Sequence, residues 1–79
     1  MRLDKYLKVS RLIKRRTVAN EACDAGRVTV GGKVARASYE VKVGDVIGLT
    51  LGPREVQVEV VSVQETVAKN DAAMLYKVL

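Results

Sequence analysis

Leu3, Tyr6, Leu7 and Ser10 recur at helical spacing, while Arg2, Lys5, Lys8 and Arg11 fall on the opposite side. This pattern predicts a first helix over residues 2–9, with Asp4 in the first turn, where the helix dipole favours a carboxylate. Leu12 and Ile13 form an apolar link. Val18, Ala19, Ala22 and Cys23 then make one narrow face of mostly small side chains, predicting a second helix over residues 17–25 that approaches the first closely. Gly26 supplies the left-handed conformation that stops it.

From Arg27 the period changes to two. Val28 and Val30 should face inward and Arg27 and Thr29 outward. Gly31-Gly32 has the length and permissive backbone of a hairpin turn, so residues 33–36 should return beside residues 27–30. Residues 37–42 read as an irregular connection, and Gly44-Asp45 as a turn leading into a strand over residues 46–51. After Gly52-Pro53, Val56, Val58 and Val60 alternate with Gln57 and Glu59 in a strand over residues 54–63. Val61 and Val63 are out of phase with it, which predicts a bulge or burial on both faces. Residues 65–71 read as a polar link, residues 72–75 as a helical turn and residues 76–79 as a last short strand. The expected class is α+β.

At 79 residues the chain fits one domain, burying only about 60–65% of its unfolded surface. With 48% hydrophobic and 29% charged residues it is globular, and no apolar run approaches a membrane span or a signal peptide; a cytoplasmic protein is expected. The net charge of +5 is unevenly placed. Ten of the fourteen Lys/Arg but only three of the nine Asp/Glu fall in residues 1–36, making the first half an electrostatic face and the second its support.

Three of these cations, Lys14, Arg15 and Arg16, stand where the second helix begins. Cations there oppose the helix dipole and repel one another, so folding alone gives no reason for them. A polyanion does. Arginine binds a phosphate through two hydrogen bonds whereas lysine is a mobile point charge, which makes Arg15 and Arg16 the stronger anchors. The tyrosines, Tyr6, Tyr39 and Tyr76, are scattered, so a platform for stacking unpaired bases is not expected; contact should be with phosphates and with the shape of folded RNA.

Nothing points to catalysis. There is no histidine, no Walker-type phosphate loop and no paired carboxylate in an apolar setting, and Ser10, Ser38 and Ser62 lack a base. Without histidine and with Cys23 as sole cysteine, neither a metal site nor an internal disulfide is expected. Cys23 reads as a small core residue.

Arg2-Leu3-Asp4-Lys5-Tyr6-Leu7, then Arg11, Lys14, Arg16, Ala19, Gly26-Arg27-Val28, Gly32, Ser38, Val41 and Gly44-Asp45 resemble the S4 RNA-binding motif over about residues 2–50. The resemblance implies a single S4-type (αL motif) domain over residues 1–79. Its two short N-terminal helices would pack on a small bent antiparallel sheet, with further strands and a tail after residue 50. The length, the opening Met-Arg-Leu-Asp-Lys and the Lys14-Arg15-Arg16-Thr17 run most resemble the stand-alone bacterial S4 proteins of ribosome-associated quality control, the RqcP family. That resemblance implies a non-enzymatic, monomeric factor without cofactor. It would bind large-subunit rRNA and peptidyl-tRNA on stalled large ribosomal subunits and hold the tRNA during alanine tailing by a NEMF-type factor (RqcH).

Carried over by position, the resemblance puts Arg2, Asp4 and Arg16 at the RNA surface, with Lys5, Lys8, Arg11, Lys14 and Arg15 extending it and Arg27 and Lys33 as further candidates. Arg36 returns toward the same face but, like Arg27 and Lys33, reads singly as a solvated charge. Asp4 has two readings: a residue that serves the helix dipole or orients arginines, or a direct acceptor for a ribose 2′-hydroxyl. Two departures stand out. Arg15 occupies a position where many S4 motifs have Ser or Thr, so Thr17 is expected to cap the second helix, and Gly31 replaces a common Asn. The related small heat-shock S4 protein usually carries a basic C-terminal extension, which this sequence lacks. A detached S4 module of an RNA-modifying enzyme is the third reading, disfavoured by Met1 directly before Arg2 and by a tail that reads as a finished sheet.

Overall fold

The computed structural model describes residues 1–63 and 75–79. Two helices, α1 (Leu3–Val9) and α2 (Arg16–Asp24), precede five strands, β1 (Val28–Val30), β2 (Lys33–Val34), β3 (Val46–Leu51), β4 (Arg54–Val60) and β5 (Tyr76–Val78). The expected polar link over residues 65–71 lies outside the described residues, as does the helical turn expected from residue 72, apart from Leu75.

Helix α1 begins one residue later than its periodicity suggests, because Arg2 is extended (φ −65°, ψ 146°) and bridges Glu40. The first-turn N–H groups, which a helix cannot satisfy itself, are met from the connection over residues 37–42. Leu3 N–H donates to the Tyr39 carbonyl at 2.8 Å and Asp4 N–H to the Ala37 carbonyl at 3.2 Å, while the Asp4 carboxylate takes Lys5 N–H at 2.8 Å. The irregular connection is therefore a backbone clamp on the start of α1. The helix ends at Ser10, and Arg11 stands beyond it at φ 62°, a left-handed position where a side chain is strained.

Helix α2 starts at Arg16 with Arg15 as its N-cap, and Arg15 makes no side-chain capping bond. Thr17, expected to cap, lies inside the first turn instead. The far end is a Schellman motif: Gly26 at φ 74° donates to the Cys23 carbonyl at 3.0 Å and Arg27 to the Ala22 carbonyl at 2.9 Å. The buried stripe is Ala19, Ala22 and Cys23; Val18, expected inward, is 47% exposed, because the two alanines and the cysteine at i, i+3 and i+4 already fill the contact with α1.

All strand pairs are antiparallel in the order β2-β1-β3-β4-β5. Gly31 and Gly32, both at positive φ, close the hairpin that sets Val30 opposite Lys33. The returning strand is shorter than expected, two residues, and leads into residues 35–38. The β3–β4 hairpin is the longest ladder, from Val46↔Glu59 to Leu51↔Arg54. β4 stops at Val60, not residue 63. Beyond it Val61 and Ser62 both donate to the Leu75 carbonyl, at 2.8 and 3.1 Å, so two residues oppose one, which is the expected bulge, and Val61 turns outward, so the segment is not buried on both faces. Leu3, Tyr6 and Leu7 of α1 pack with the α2 stripe, Val28, Ile47, Leu49, Val58, Val60 and Leu75 into one core. The Tyr6 hydroxyl reaches across it to the Leu75 carbonyl at 2.6 Å, and burial raises its pKa far above that of a free tyrosine.

Candidate RNA-binding surface

The position of Asp4 on α1 points its carboxylate at α2 and removes it from solvent; the residue is 2% exposed. Arg2 Nε donates to Oδ1 at 3.2 Å and Arg2 Nη2 to Oδ2 at 3.5 Å. Arg16 Nη2 lies 3.5 Å from Oδ1 and its Nε 3.4 Å from Oδ2, and Asn20, one turn along α2, donates to Oδ2 at 3.4 Å. Burial pushes the carboxyl pKa up, but the bonds from Arg2, Arg16, Asn20 and the Lys5 N–H outweigh it and hold it below the ordinary value. One buried anion thus gathers two guanidinium groups from different elements.

The arginines themselves remain outside. The Arg2 and Arg16 side chains are 50% and 48% exposed, and each guanidinium has five N–H donors, so both keep donors facing solvent. The contacts at 3.2–3.5 Å are long for charge-assisted bonds, so they tether and aim the guanidinium groups without saturating them. Of the two readings of Asp4, the geometry therefore favours the orienting one: the carboxylate lies beneath the surface with both oxygens occupied. It also amends the account of the basic triplet. Arg16 has a structural partner across the helix pair, whereas Lys14 and Arg15 are exposed and have none among the described residues.

The first turn of α2 contains no acidic residue. Its uncapped positive end, Lys14, Arg15 and Arg16 therefore superpose one sign of potential, the arrangement that binds phosphate. A shallow groove of about 400 Å³ opens here, lined by Asp4, Arg16, Thr17, Asn20 and Glu21. Beyond Asn20 a second groove of about 540 Å³ runs between Arg2, Asp24, Arg36 and Ser38. Lys8 and Arg11 are exposed at the end of α1, and Lys5 is half-buried. Two candidates lie elsewhere. Arg27 borders a different groove, of about 430 Å³, on the other flank of α2 with Leu12, Val18 and Leu51, and Lys33 sits at the β1–β2 hairpin.

Asn20 and Arg36 were not among the candidates drawn from the sequence. Asn20 at i+4 from Arg16 is the available signal; Arg36 is expected to return toward the basic face but reads singly as a solvated charge, because its place beside Arg2 depends on the path of residues 35–38. Cys23 matches the core reading: burial and, less, the nearby Asp4 and Asp24 raise its thiol pKa to about 11. Among the described residues no cluster of His, Cys, Asp or Glu is able to hold a metal, and no helix is long and apolar enough to cross a membrane.

These features agree with the comparisons to known proteins. A family model for the S4 domain matches residues 1–47. An RQC P-site tRNA stabilizing factor of Halalkalibacterium halodurans is 56% identical over 99% of this chain and 89% of its own length, and that of Bacillus subtilis 49% identical over 100% and 92%. Among solved structures, the trimeric heat shock protein 15 of Vibrio cholerae superposes with a TM-score of 0.93 at 29% identity, over 100% of this chain and 81% of that one. The chain belongs to the S4 domain family, and within it to the group that contains the RQC P-site tRNA stabilizing factors.

Proposed function

We propose that this protein is a non-enzymatic RNA-binding factor of the large ribosomal subunit. It contacts rRNA and peptidyl-tRNA on stalled subunits and steadies the tRNA in the peptidyl site while a NEMF-type factor directs alanine tailing. The observation that carries this reading is the pair of half-exposed arginines, Arg2 and Arg16, aimed by buried Asp4 beside the uncapped start of α2. Such a pair binds successive phosphates, because each guanidinium offers a fixed fork of donors and neither must be desolvated far to use it. Lys8, Arg11, Lys14 and Arg15 broaden the field that draws RNA in, and Arg27 and Lys33 add outlying contacts. The names of the relatives, which describe stabilization of P-site tRNA in quality control, support the choice of ligand.

The fold it shares with heat shock protein 15 supports a second reading, a factor that repositions peptidyl-tRNA on free large subunits. Recovery of the tagged protein under mild salt separates the two. Large-subunit rRNA, tRNA and a NEMF-type factor together are the expected outcome; the two RNAs without that factor shift the reading to the heat-shock type, and no enriched RNA contradicts both.

A further inference from the structure

The groove beyond Asn20 has walls of unlike charge that do not meet. Arg2 and Arg36 line it together with Asp24 and Ser38, and among the described residues neither Arg36 nor Asp24 forms an ion pair. Its floor is apolar: Cys23, Ala35 and Ala37 are buried. The burial of Ala35 and Ala37 fixes the intervening Arg36 outward, and the Ala37 carbonyl is held by Asp4 N–H, so this wall is tied to the base of the arginine pair. Asp24 is also misplaced for folding. It is the last residue of α2, where the dipole disfavours an anion, and no basic residue accompanies it in that turn.

We propose that this groove, of about 540 Å³, seats one nucleotide of the bound RNA. Its phosphate lies on Arg2 and Arg36, and a neutral O–H or N–H donor of that nucleotide on the Asp24 carboxylate. The volume lies within the range of sites for ligands of that size. The proposal rests on the RNA-binding reading above and extends it to residues outside the arginine pair.

Asp24 gives a test of sign. If electrostatics alone governed binding, removing an anion from a surface that meets RNA would tighten it; if Asp24 accepts a bond from the nucleotide, removal weakens it. Binding of Asp24→Ala, Arg36→Ala, Arg16→Ala and, as an equal loss of charge elsewhere, Arg54→Ala is measured on purified large ribosomal subunits over a KCl series, with thermal unfolding of each variant. The expected result is that Asp24→Ala melts no lower than the parent yet binds at least threefold more weakly. Arg36→Ala loses about threefold to thirtyfold, more than Arg54→Ala, and its salt slope falls by about 0.7–0.9. Tighter or unchanged binding by Asp24→Ala, or an Arg36→Ala loss no larger than that of Arg54→Ala, overturns the proposal. Weakening by Arg16→Ala in that same outcome leaves the RNA-binding reading standing; no weakening by Arg16→Ala removes both.

Discussion

A carboxylate as buried as Asp4 costs several kcal/mol in desolvation unless donors surround it. Here Arg2, Arg16, Asn20 and the Lys5 N–H do so. Because these bonds set its folded pKa below the ordinary value near 3.8, they favour the folded state at pH above the unfolded pKa, and that contribution is lost as pH falls through the folded one. Acid unfolding of the parent and Asp4→Asn should therefore diverge above about pH 4 and converge below it. The Glu40 carboxyl, also lowered, by the terminal ammonium, is common to both proteins and cancels in the comparison. At pH 7 Asp4→Ala should lose about 1–3 kcal/mol in denaturant titration, since it leaves donors unpaired. Arg11 tests the opposite trade. Arg11→Gly should gain about 0.5–1 kcal/mol by relieving the left-handed strain at φ 62°, yet bind large subunits more weakly through loss of a cation. The sequence placed Asp4 in the right turn but left its role open, because periodicity gives a direction around the helix and not the depth to which α2 covers it.

At the scale of the element, α2 carries its charges against its dipole at both ends, Arg15 and Arg16 at the start and Asp24 at the finish. Arg15→Ser should therefore supply the missing cap and raise stability by about 0.5–2 kcal/mol, measured by denaturant unfolding, while weakening RNA binding. The start of the helix was legible as an anomaly of charge, and Gly26 as its stop. Val18 was misjudged because four apolar positions suggested a wider buried face than two closely packed short helices need. The strand over residues 54–63 was read too long for a similar reason: valine is as frequent in the departing segment as in β4, and only the carbonyl of Leu75 decides where pairing ends.

Over the whole molecule the cations of residues 1–36 sit on the helices and on the β1–β2 hairpin, while the acidic half supplies β3, β4 and β5 behind them. The division was visible in the sequence. Which cations converge was not, because the clamp of residues 37–41 on α1 brings Arg36 toward Arg2 through contacts more than thirty residues apart in the chain. A surface that engages three or more phosphates predicts a fall of log K with log salt steeper than about −2, measured by co-sedimentation with large subunits between 50 and 200 mM KCl, roughly the span over which counterion release is resolved.

The most direct test of the account is co-sedimentation of the Arg2→Ala, Arg16→Ala double variant with large ribosomal subunits carrying peptidyl-tRNA, alongside thermal unfolding. The expected result is a lower melting temperature, because Asp4 keeps only Asn20 and the Lys5 N–H as partners, and loss of the still-folded variant from the subunit fraction, by about 1.5 kcal/mol or more for each charged contact removed. A folded double variant that sediments with the subunits as the parent does contradicts it.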